Sequence, residues 1–297
     1  MSRNGREMST RVLAQGFHFG EGPRWHANRL WFSDQWANRV YSVSLAGDLR
    51  VEFELDDGPS GLGWMPDGSL LVVSMAKRRV MRRWPNGAMT VHADLATLAT
   101  GRCNDMVVAA DGRAYVGNFG FDLETEILAR GAAAVFADHA IANLAEIAPD
   151  GTARIAATNM HFPNGSVISP DGKTLIVGET LAGVVSAFTI AADGSLSDRR
   201  VWATTWPRIP DGIALDEAGA IWMANPLAPE CVRVAPGGEI LEIIVTDQPC
   251  FACMLGGEDR RTLFMLTAKS FVRGGMAADP TGRLLTTTVD HRGAGRP

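Results

Sequence analysis

The sequence predicts an all-β protein, a six-bladed β-propeller. Three observations carry that prediction. Helical periodicity is scarce, and short β-rich runs ended by Gly, Pro, Asp or Asn take its place. One theme recurs along the chain: a strand, an acidic-Gly turn, then a strand. The recurrences lie 40 to 60 residues apart, the length of a blade of several strands.

The units follow in order. WHANRLWFSD (25–34) turns at Asn28, WMPDGSLLVVS (64–74) at Gly68 and AADGRAYVGN (109–118) at Gly112. SPDGKTLIVGE (169–179) turns at Gly172, DEAGAIWMAN (216–225) at Gly219, and GGEDRRTLFML (256–266) is a degenerate copy around Arg260. Successive turn spacings are 40, 44, 60, 47 and 41 residues. Six such units fill one domain, 1–297. The long gap implies an insertion in the third unit at about 122–146, expected to carry a loop or short helix over one face. Residues 1–9 are expected to be disordered. TRVLAQGF (10–17) and RLLTTTVDHR (283–292) are the candidate strands that close the ring from both termini, hiding the sheet edges.

Bulk composition narrows the function. Hydrophobic content is 46% and charged content 21%, which is ordinary for a globular chain with ample core. The net charge of −5 argues against nucleic acid or an anionic membrane as partner. MSRNGREMST has no apolar h-region, and no apolar run approaches the ~18 residues of a membrane helix, so a cytoplasmic protein is expected. Reduced thiols are then the default for Cys103, Cys231, Cys250 and Cys253. Cys250-x-x-Cys253 has zinc or redox spacing, but lacks a second Cys/His pair and a βαβ setting.

A second repeat lies inside the first. Asn164, in Pro163-Asn164-Gly165, stands eight residues before the turn glycine Gly172. The same offset finds Ser60, Asn104 and Asp211, and the shorter first unit gives Glu21. Five units in a row thus place a side-chain oxygen at one repeat position. Taken singly, Pro-Ser-Gly, Pro-Asn-Gly and Pro-Asp-Gly are good turns. The repeated offset makes them a set, because rotation about a propeller axis brings equivalent positions together. Oxygen-only ligands with two carboxylates and two carboxamides suit a hard cation, calcium first, with magnesium, manganese and zinc open. Prolines before Ser60, Asn164 and Asp211 fix φ, and Gly22, Gly61, Gly165 and Gly212 allow close backbone approach.

GEGPRW, GRCND, PNGSVISPDG, PDGIALDEAGAIWMAN and CMLGGEDRRTLFMLTA resemble the regucalcin/gluconolactonase family of six-bladed propellers, in the family's order, from about Gly20 to Lys269. The resemblance implies a divalent metal in the channel held by Glu21, Asn164 and Asp211. It also implies Asn104 at the same site, touching metal or substrate, with Arg102 beside it. Lactone hydrolysis is the implied activity, and a related branch hydrolyses organophosphates. Asp211 is then the general base for water, or a direct nucleophile. Arg102 would bind ring oxygens or a developing oxyanion, against the plainer reading of a solvated loop arginine.

Other candidates are single residues. Asn118 and Asp122 could contact substrate or serve turn chemistry, and His161 could shuttle protons. Trp36, Met75, Met160 and Phe162 could line an apolar cup, although core packing explains any one of them. Phe119 and Phe121 stand where a sugar lactonase would be more polar. The remaining histidines form no spaced ligand set, and no Gly-x-Ser-x-Gly elbow or Gly-rich phosphate loop is present. The substrate that the resemblance implies is a small lactone, a sugar-type aldonolactone first and a hydrophobic or aromatic lactone second. A phosphotriester hydrolase and a non-catalytic calcium-binding propeller are the alternatives.

Overall fold

The computed structural model describes residues 9–272 and 280–296. Among the described residues the strands form six four-stranded antiparallel sheets. In the first blade β2 (Gly20–His26), β3 (Arg29–Asp34), β4 (Arg39–Val43) and β5 (Leu49–Glu54) run from the channel outward. Four more blades repeat this order, with inner strands β6 (Pro59–Trp64), β10 (Cys103–Val108), β14 (Pro163–Ile168) and β18 (Ile213–Leu215). Inner strands are buried along almost their whole length, while outermost strands such as β5 alternate or face solvent. That contrast is what a strand wedged between neighbours on both faces requires.

The six turns found in the sequence are one conformation. Asn28, Gly68, Gly112, Gly172, Gly219 and Arg260 all have φ between 59 and 90°. Glycine holds this left-handed state without strain, and asparagine tolerates it; the sixth copy is degenerate because Arg260 stands there instead.

Ring closure takes place in the sixth blade. β1 (Arg11–Phe17) pairs with β24 (Gly282–Thr288), which pairs with β23 (Thr262–Thr267) and then the inner β22 (Cys250–Gly256). The N-terminal strand is the outer edge of that blade. Residues past Thr288 do not extend β24 as expected. They cross beneath the channel as a strap: Ala294 donates to the Leu215 carbonyl at 2.9 Å, and Arg296 exchanges two backbone hydrogen bonds with Ile168. The expectation of disorder over 1–9 falls outside the described residues except at Ser9, whose carbonyl accepts from Thr287.

The insertion is helical and shorter than expected. α1 (Leu123–Arg130) and α2 (Ala132–Ala137) sit over the channel mouth, and β12 (Ala142–Ile147) has already begun inside the interval assigned to the insertion. Asp122 caps α1, accepting from the Thr125 N–H, and two acidic residues follow in the first turn.

Candidate active site and metal centre at the channel mouth

Four of the five oxygen-bearing positions lie inside the inner strands, each at an irregularity. Register shifts separate Glu21 from Arg24, Pro59 from Leu62, Cys103 from Met106 and Pro163 from Ser166. In the fifth blade Asp211 precedes β18, and Ala224 bonds the backbone around it. A bulge tips one side chain off the pleat and toward the axis. The glycine that follows lets the strands converge. A Cβ at Gly61 would meet the Met106 nitrogen at 2.4 Å, and one at Gly165 would meet the Asp211 carbonyl at 2.4 Å.

Glu21, Ser60, Asn104, Asn164 and Asp211 are all buried, with at most 7% exposed. Four of them form a hydrogen-bonded arc. Ser60 Oγ donates to Asn104 Oδ1 at 3.2 Å, Asn104 Nδ2 to Asn164 Oδ1 at 2.9 Å, and Asn164 Nδ2 to Asp211 Oδ1. Gln35, just past the end of β3, donates to Ser60 Oγ at 3.1 Å, and Thr180 accepts from Asn164 at 3.1 Å. The sixth equivalent position is Phe251, because Gly212 packs on Ala252 as Gly22 packs on Gly61. Phe251 fills the gap between Asp211 and Glu21 with a ring, edge-on to Phe19 at 4.8 Å.

The electrostatics of this mouth are unusual. Burial, the Asp211 charge and the Asp105 charge push the Glu21 carboxyl well above the usual carboxylate range, against one bond from the Gly22 N–H. Burial likewise pushes Asp211 well up, helped by Asp105 and opposed by the Asn164 bond. Neither carboxylate forms an ion pair among the described residues. Asp105 does: Arg24 reaches across from the first blade to hold it at 2.9 Å, and also bonds the Pro23, Leu62 and Met106 carbonyls. Two unpaired buried carboxylates beside carboxamides fit a hard dication. No group of three or more His, Cys, Asp or Glu converges on a metal position among the described residues, so a cation here would draw on the Asn oxygens.

Above the arc lies a cavity of about 160 Å³. Arg102 lines it, and its side chain has no ion pair or hydrogen bond among the described residues. Trp36, Met75 and Phe162 line it, where core packing was the plainer expectation; Met160 follows that plainer reading, fully buried in the core with Leu144 and Val177.

Three polar candidates have other work. Asn118 is one of six residues that end the second strand of each blade, with Asp34, Ser74, Glu179, Asn225 and Thr267, all buried. Five of them brace the loop entering the inner strand, while Asn225 accepts from the Leu227 N–H and donates to Glu230. Asn118 accepts from the Gly101 and Gly120 N–H groups and donates to the Asn143 carbonyl, so it does not reach the cavity. His161 faces away from it and bonds His139 at 2.9 Å. Asp122 borders the cavity but is committed to capping α1.

The sequence reading missed a ring. The residue after each of these strand ends faces the cavity in five blades: Gln35, Met75, Phe119, Thr180 and Pro226. The signal was present, since the strand ends stand six or seven residues after every turn position. Cys250 and Cys253 are free and buried with Cys231, Cys253 donating to the Gly212 and Trp222 carbonyls at 3.4 Å. They are packing, not the zinc or redox pair their spacing allows.

Residues 19–269 match the family model described as the SMP-30/gluconolactonase/LRE-like region. The chain belongs to that family. Among relatives of this SMP-30/gluconolactonase/LRE-like protein, a pentonolactonase of Haloferax volcanii is 28% identical over 294 residues, covering 96% of this chain and 92% of that one. A calcium-binding regucalcin of Agrobacterium tumefaciens superposes with a TM-score of 0.78 at 20% identity, over 98% of this chain and 97% of that one. A gluconolactonase of Xanthomonas campestris gives 0.75 at 22%, over 96% and 90%. At these identities the two structures establish the fold. No helix among the described residues is long and apolar enough to cross a membrane.

Proposed function

We propose that the protein is a metal-dependent lactone hydrolase whose dication is held by Glu21, Asn164 and Asp211, with Asn104 alongside. The observation that carries this reading is the pair of buried carboxylates with no basic partner, set in an arc of carboxamides under a cavity. The lactonase names among the relatives support the bond type. The calcium-binding description of a regucalcin supports calcium as the first ion to test. Four buried free thiols suit a cytoplasmic enzyme.

A bound dication would supply Lewis-acid polarisation of the lactone carbonyl and would acidify a bound water. Asp211 takes the proton from the attacking water. Asn164 Nδ2 engages Asp211 Oδ1, which leaves Oδ2 for that proton. The hydroxyl adds to the carbonyl carbon, the ring C–O bond breaks, and the ring oxygen leaves with the proton that Asp211 returns. The product is the hydroxy acid. Arg102 holds the developing oxyanion or a ring oxygen from the cavity wall. Direct attack by Asp211 is the alternative route, and it alone would carry labelled solvent oxygen into the aspartate during single turnovers.

A phosphotriester hydrolase is the second reading, favoured by the apolar walls above the same ligands. The test is a pH-stat panel of lactones and phosphotriesters, using protein stripped with chelator and refilled with calcium, magnesium, manganese or zinc. Lactone turnover that dies on stripping, returns with one ion and falls by about 10²–10⁴ in Asp211→Ala supports the proposal. Turnover of phosphotriesters alone would replace it with the second reading. A metal-dependent rise in melting temperature without turnover would leave a calcium-binding propeller.

A further inference from the structure

The cavity above the arc has the wrong chemistry for a polyhydroxylated ring. α1 turns Leu123 and Ile127 into it, one helical turn apart, and α2 adds Phe136. Facing them are Phe119 and Phe162, with ring centroids 4.4 Å apart. Apart from Glu21, Asn104, Asn164 and Asp211 of the arc itself, the polar groups on its wall are mostly spoken for. Gln35 and Thr180 bond within the arc, Asp122 caps α1, and Glu124 has a partner of its own. Arg102 is left to receive a ligand oxygen. Ring hydroxyls seated under the helices would lose water and find few replacements, which a binding site does not recover elsewhere.

We propose that the site takes a lactone bearing an apolar substituent of about aromatic size, its carbonyl toward Glu21 and Asp211 and its substituent beneath α1 and α2. This names the substrate class for the lactonase reading and rests on it. The insertion is then the specificity element, since the ligand arc alone would serve any lactone. The rim continues the theme: Leu227 borders the cavity, and Phe136 meets the exposed Trp206 edge-on at 6.0 Å.

The test compares γ-phenyl-γ-butyrolactone with glucono- and pentonolactones on the metal-loaded protein. The expected kcat/KM ratio favours the phenyl lactone by about 100-fold, and Phe136→Ser or Ile127→Ser lowers that ratio by about tenfold. Both side chains are half-buried on the helices outside the sheets, and a melting curve checks each variant's fold. A second arm needs no turnover. 2-Phenylcyclopentanone, which has no bond to hydrolyse, is titrated into chelator-treated protein against cyclopentanone, with calorimetric readout. Binding of the phenyl ketone at least about tenfold more tightly supports the apolar cup. Equal binding, or a preference for the sugar lactones, overturns it. Tight phenyl-ketone binding with no lactone hydrolysed keeps the cup and overturns the lactonase reading instead.

Discussion

Five blades and the sixth occupy the same fold and present opposite chemistry at the same position. Blades one to five offer Glu21, Ser60, Asn104, Asn164 and Asp211 to the axis, while the sixth offers Phe251. Behind four of the five lie the hydrogen bonds of the arc; against Phe251 lie Phe19 and Ala268. The difference shows that the inner-strand position is not needed for folding as an oxygen. The blade fold accommodates either.

The sixth blade bears a different burden, closure, and breaking it has the largest expected effect. Ending the chain before Leu284 removes most of β24 and the strap, stripping β1 of its partner. A sharp fall in melting temperature is expected; an unchanged melt would contradict closure by both termini. On the polar side, Arg24→Leu leaves Asp105 buried and unpaired beside two more carboxylates. Denaturant titration should read a loss of about 3–5 kcal/mol, the usual cost of breaking a buried pair from one side. Less than about 1 kcal/mol would mean that Asp105 is relieved by water.

Smaller effects sharpen the contrast. The buried sulfur should be inert. All four thiols are buried, and burial pushes Cys103 up to about 12. Ellman's reagent at pH 8 should label none in native protein and four after denaturation, and early labelling of Cys250 or Cys253 would show that β22 opens. The smallest effect is expected at the insertion. Burial, with a smaller contribution from His161, holds His139 below the ordinary histidine value, against the Val135 carbonyl and Asp138. The unfolded chain therefore binds that proton more readily, and stability falls as pH drops below about 6.5. His139→Gln should flatten the slope of melting temperature against pH; an identical slope would remove His139 from the account.

Much of this was legible in the sequence. The six turns could be counted because left-handed φ restricts residue choice, and the offset of eight found the arc because rotation repeats it. Arg24–Asp105 was not legible, since the pair is 81 residues apart and belongs to no repeat position. Phe251 was not legible because the sixth turn is degenerate and its side chain carries no oxygen to join the set. Asn118 looked like a site residue because its type suits one; only its equivalence to Asp34 and Glu179 reveals a brace. The strap was read as strand because LLTTTVDHR keeps β propensity past the point where pairing ends.

The most direct test is calorimetric titration of calcium into chelator-treated protein, comparing wild type with Glu21→Gln, Asp211→Asn, and Trp84→Ala on an outer strand turn as control. The account predicts one site per chain, lost in the first two variants and intact in the third. Undiminished binding in Glu21→Gln and Asp211→Asn, or no divalent ion bound by wild type at all, would contradict it.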